Sequence, residues 1–210
     1  MSKQPERRRR VVRATAPAFG LLAAGLLVWQ GSYAAFSATT QDNSNTWSTA
    51  TLSLTNDGGV AAAYAATTTA TFGGANLKPG ATGTTCLTVK SVGTSAGSMA
   101  MYESALVDSA PSLGAQIKLT VDAAPTASEV VANCTGFPAV GVTNVATNVP
   151  LAGVGSFPVT YAAGTPVAVA TGTILTAYKV TWTFATTGTN PGDNLLQGKT
   201  VTAGFTWELQ

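Results

Sequence analysis

The chain has 210 residues, of which only 10% are charged and none is histidine. Its 11 basic and 9 acidic side chains leave a formal charge of +2. Without histidine, H-E-x-x-H zinc sites and serine–histidine catalysis are both excluded.

The charge is unevenly placed. Lys3, Arg7, Arg8, Arg9, Arg10 and Arg13 crowd the start, and residues 14–29 then carry no charge at all. Small Ser32 and Ala34 follow, around Tyr33. A basic stretch, an apolar run and a small-x-small site in that order read as a secretory signal peptide over residues 1–34, cut between Ala34 and Ala35. The apolar run is short of the roughly 20 residues of a spanning helix. An uncleaved anchor with its basic end inside is the alternative. "RRRRVV" is a poor match to twin-arginine export. Removing 34 of the 210 residues leaves 176, in which five lysines face eight acids for a net charge of −3. Nucleic acid is therefore not an expected partner, because the cations that would displace phosphate counterions lie in the leader. No membrane contact is expected after cleavage.

Next comes "AFSATT", residues 35–40, uncharged and followed by a polar "QDNSN". From residue 47 onward period-2 alternation dominates. "TATLSLTND" sets Leu52 and Leu54 on one face, and "QIKLTVD" sets Ile117, Leu119 and Val121 inward. "YKVTWTFA" does the same with Val180, Trp182 and Phe184, and "KTVTAGFTWELQ" with Val201, Ala203, Phe205, Trp207 and Leu209. Such patterns predict half-buried antiparallel strands. "NDGG", "KPGATG", "VGTSAGS" and "GTNPGDN" supply turn chemistry between them. "SALVDSAPSLG" and "NLLQGK" are each expected to form one helical turn, and residues 125–172 to mix short strands with long loops. The fold class is all-β: an antiparallel β-sandwich of jelly-roll type with long loops, over residues 47–210.

Cys86 and Cys134 are the only cysteines. An even count in an exported chain reads as one disulfide. Closing a loop of that length contributes about 4 kcal/mol in the chain-entropy model. Two metal-ligating thiolates are the alternative, without the short spacing or histidine such a site uses. Asp57 and Asp193 sit in turn sequences and are expected to shape turns, since neither loop offers the second carboxylate calcium would want. Asn133-Cys134-Thr135 is a glycosylation sequon that a disulfide at Cys134 argues against. Trp182 and Trp207 alternate in phase with core residues, which leaves Trp47 as the candidate for an exposed aromatic role beside Tyr102, Tyr161 and Tyr178. No catalytic residue, metal site or cofactor site emerges.

Several motifs in sequence order resemble the secreted camelysin/TasA family of Gram-positive bacteria. They are the leader ending "YAAFSATT", the segment "NTWSTATLSLTNDG", the turn and strand "NLKPGATGTTCLTVKSVGT", and the closing "YKVTWTF" and "NLLQGKTVTAGFTWELQ". Ala50 stands where the family commonly has glycine, and the resemblance is poor over residues 125–172. It implies a jelly-roll domain, cleavage by a dedicated signal peptidase, and self-association into extracellular fibres of a biofilm matrix. It also implies that Ala35, Phe36, Ser37, Ala38, Thr39 and Thr40 form a donor strand completing the sheet of the next subunit, with residues 41–46 as hinge. The composition of that segment suits β-augmentation. The family also carries a metalloendopeptidase label, for which this sequence offers no histidine, acid cluster or nucleophile–base pair. A surface adhesin or carbohydrate binder around Trp47 is the third reading.

Overall fold

The computed structural model describes residues 52–68 and 73–210 of the chain. Alternating apolar and hydroxyl-bearing residues give eight strands: β1 (Leu52–Asn56), β2 (Thr82–Gly93), β3 (Gly97–Asp108), β4 (Ile117–Thr126), β5 (Thr143–Pro150), β6 (Val167–Val169), β7 (Gly172–Phe184) and β8 (Val201–Leu209). A short helix, α1 (Asn190–Leu195), and a 3-10 turn at Tyr161–Ala163 complete the regular structure among the described residues. One sheet has the order β1-β2-β7-β4-β5 and the other β6-β3-β8, with antiparallel pairing throughout. The protein is an all-β sandwich, as the period-2 pattern leads one to expect.

Two long ladders set the frame. β2 pairs with β7 from Thr82↔Thr183 to Gly93↔Gly172, and β4 pairs along the other side of β7 from Ile117↔Phe184 to Thr126↔Leu175. β7 is therefore central, and its alternate residues Tyr178, Val180, Trp182 and Phe184 are buried. Leu87, Val89, Leu119 and Val121 join them from flanking strands, and Met99 and Met101 belong to the same core from β3. Each such side chain stabilises by about 1.5–3 kcal/mol on burial, before entropy is set against it. Gly83 lies opposite Trp182, and a Cβ there would come within 2.7 Å of the indole. On the outer face, hydroxyl pairs Thr82–Thr183 (3.3 Å) and Thr84–Thr181 (3.0 Å) link β2 to β7.

Two stretches depart from the sequence expectation. "SALVDSAPSLG" makes no helical turn: its first five residues finish β3, where Ala105, Leu106 and Val107 pair with Gly204, Ala203 and Thr202 of β8. Ladder bonds outweigh a weak local propensity here. Helix α1 begins before "NLLQGK", inside the expected turn "GTNPGDN". Thr189 is its N-cap, its side chain accepting from Gly192 N, and Pro191 sits in the first turn. Residues 125–172 supply the end of β4, the short strands β5 and β6, and long loops between them, as expected.

Cys86 and Cys134 form the expected disulfide. Cys86 faces outward from β2, so the bond pins the loop after β4 onto the outer face of the five-stranded sheet. Val130 and Ala177 pack there with Cys86, and Phe137 lies against them. Thr88 Oγ1 accepts from Val130 N (2.8 Å) and donates to Val130 O (3.1 Å), which fixes the register of the loop.

Candidate functional site

The edges of the two sheets differ in how well they are protected. β6 is three residues long and β1 five, while β5 pairs with register irregularities and ends at Pro150. Short, irregular or proline-bearing edges resist pairing with another chain. β8 is nine residues long, lacks proline and is uncharged until Glu208, and its ladder with β3 carries one register irregularity, between Glu103 and Ala105. Among the described residues its ladder partner is β3. Val201, Ala203, Phe205, Trp207 and Leu209 pack against the core in the expected phase, yet each is only half-buried. Their counterparts on β7 are buried.

Two cavities flank this row. The larger, about 630 Å³, lies between Ile117, Leu119, Trp182 and Phe184 on one sheet and Ala203 and Phe205 on the other. Ala203 is the small member of an otherwise bulky inward run, which leaves the space. The smaller, about 310 Å³, lies between Leu54, Val89, Phe205 and Trp207. Trp207 meets Tyr178 edge to face with ring centroids 5.6 Å apart, and Phe205 meets Phe157 likewise at 5.4 Å.

The interior beside β8 also carries unusual polarity. Trp207 Nε1, Tyr178 Oη and Glu103 Oε2 are buried without hydrogen-bond partners. Glu103 is 5% exposed, and burial holds its carboxyl above the ordinary glutamate value. Burial likewise pushes the Tyr178 phenol up. Buried polar groups are nearly always paired, so three unpaired ones in a single core stand out. The sequence carried a signal for Glu103, which shares the alternation of Met99 and Met101, whereas the missing partners of Trp207 and Tyr178 depend on tertiary packing.

The other expected site residues are dispersed. Asp57 shapes its turn, with Oδ1 accepting from Gly59 N at 2.8 Å and from Thr88 N at 2.9 Å. Asp193 accepts from Thr186 Oγ1 and from Thr187 Oγ1 and N, and these bonds lower its pKa. The three tyrosines do not form one platform: Tyr102 donates to Glu208, Tyr161 donates to the Ser98 carbonyl, and Tyr178 is in the core. Among the described residues no three His, Cys, Asp or Glu side chains cluster to hold a metal ion, and no helix is long and apolar enough to cross a membrane. The cleavage position Ala34–Ala35, the expected donor residues 35–40, the hinge and Trp47 lie outside the described residues. No family model matches the chain, and no curated protein matches it.

Proposed function

We propose that this chain is an exported structural subunit of an extracellular matrix fibre, and that it assembles by residues 35–40 of one copy completing a sheet of the next. The observation that carries the reading is the half-buried inward row Val201, Ala203, Phe205, Trp207 and Leu209 of β8, with two cavities beside it. An apolar row left half-covered in this way is a surface an added strand can complete. Strand order gives further support. The sets β2-β7-β4-β5 and β6-β3-β8 follow the order of an eight-stranded jelly roll, whose first strand lies beside its last. Here β1 pairs with β2 instead.

The leader pattern and the Cys86–Cys134 disulfide fit an oxidising compartment outside the cytoplasm. Because donor and acceptor are different surfaces, the contact is heterologous and propagates as a filament instead of closing as a dimer. Electron microscopy of the purified chain starting at Ala35 should show filaments. The chain starting at Gln41 should be a folded monomer with the disulfide intact. Filaments of unchanged morphology from the shorter chain would overturn the proposal.

A further inference from the structure

The described residues that line the larger cavity divide by exposure. Leu113, Ile117, Leu119, Trp182, Phe184 and Leu196 are buried, and all are apolar. Asn76, Gln197, Thr200 and Thr202 are exposed, and all carry hydrogen-bonding side chains. The cavity therefore has an apolar interior and a rim where polar side chains gather. Its volume of about 630 Å³ falls among small-molecule sites, which are mostly apolar with a few polar groups to orient the ligand. Charge is equally one-sided. Lys199 also lines the cavity, half-buried, and no described residue lining it is acidic. The ion pair among the described residues joins Lys179 to Asp122, so Lys199 has no carboxylate partner there. A half-buried lysine lays its stem on apolar surface and keeps its ammonium toward water, which sets a cation at the mouth. The other cavities lack this combination. One beside Tyr64 is lined by both Lys90 and Glu129, and the one beside Trp207 by no charged residue among those described.

We infer that the larger cavity binds a free single-chain anionic amphiphile of the fatty-acid class. Its aliphatic chain lies in the apolar interior, and its head group meets the Lys199 ammonium at the rim. The apolar interior drives binding in proportion to the chain buried. The lysine selects the sign of the head, because a half-buried cation without a counter-ion gains most from an anion. A cationic head would face Lys199 with no acid to offset it. This inference does not rest on the assembly reading, since it concerns the cavity and not the donor segment.

The test is calorimetric titration of the chain starting at Ala35, below the concentration that gives filaments, with octanoate, decanoate and decanol. Decanoate should bind about fifteenfold more tightly than octanoate, at about fourfold for each methylene buried. Lys199→Gln should weaken decanoate about tenfold and leave decanol unchanged, because only the charged head loses a partner. Lys199 makes no ion pair among the described residues, so the melting temperature of that variant should hold. Ala203→Phe, which fills the cavity, should abolish binding of all three probes without lowering the melting temperature. Absence of heat with decanoate would overturn the inference. So would a Lys199→Gln chain that loses decanoate and decanol alike, or a folded Ala203→Phe chain that binds decanoate as before. Vesicles of phosphatidylglycerol should not carry the chain down on sedimentation. If they do while free decanoate gives no heat, the face is a membrane contact and the inference falls.

Discussion

Asp57 and Glu103 are both buried carboxylates, and they act on stability in opposite directions. Asp57 is 1% exposed, and its Oδ1 satisfies two backbone N–H groups that close the turn after β1 onto β2. Asp57→Ala would leave both donors buried and unpaired, a loss of about 2–3 kcal/mol. Urea unfolding should show a lower midpoint with unchanged slope, and Asp57→Asn, which keeps an acceptor oxygen, should cost less. Glu103 has no such partners, and burial raises its pKa in the folded state. Folding therefore favours its protonated form. Its contribution is most favourable below the ordinary glutamate range and is lost as pH rises through the raised value. Glu103→Gln should accordingly raise the melting temperature at neutral pH, with the advantage shrinking as pH falls toward that range; an equal gain at every pH would refute the account. The turn role of Asp57 is readable in "TNDGG". Its near-complete burial is not, because the loop carrying Val130 and Ala132 comes from the far end of β4.

Among the elements, the loop after β4 depends most on a single covalent bond. It has little regular structure, and it stays on the sheet through the disulfide, the Thr88–Val130 pair, and backbone bonds from Ala132 N to Gly59 O and Cys86 N to Ala132 O. Reduction should lower stability by about 2–4 kcal/mol. It should also raise hydrogen exchange first at residues 128–137, where few apolar contacts remain without the bond. Uniform loosening of the whole sandwich on reduction would contradict this local picture. Strands β4, β7 and β8 were readable because one face is buried and the other solvated, which writes the period into the sequence. β3 was harder: its second half, Ser104 to Asp108, is exposed or half-buried on both faces, so the alternation fades. α1 was displaced because "TNP" serves equally as a turn and as an N-cap with proline, and only the capping bond of Thr189 decides between them.

Taken together, the two sheets leave the protein with a core complete around β7 and incomplete around β8. Readable in the sequence were the strand period and Ala203 among bulky inward neighbours; the cavity beside it is a product of which sheet each strand joins. The cavity provides a test of the proposed acceptor that does not touch the donor segment. Ala203→Phe would place a ring where the space of about 630 Å³ lies, between Phe184 and Phe205. Filling an existing void recovers contacts and apolar burial without the strain of overpacking a tight core. The melting temperature of the monomer should hold or rise, while filament formation falls because the space beside β8 is already filled. Ala203→Ser keeps the space and should assemble much as the unaltered chain does. A folded Ala203→Phe chain that still forms filaments at the original concentration would place the acceptor elsewhere on the surface. Paired melting and sedimentation measurements on the three chains separate these outcomes, since the proposed effect moves fold stability and assembly in opposite directions.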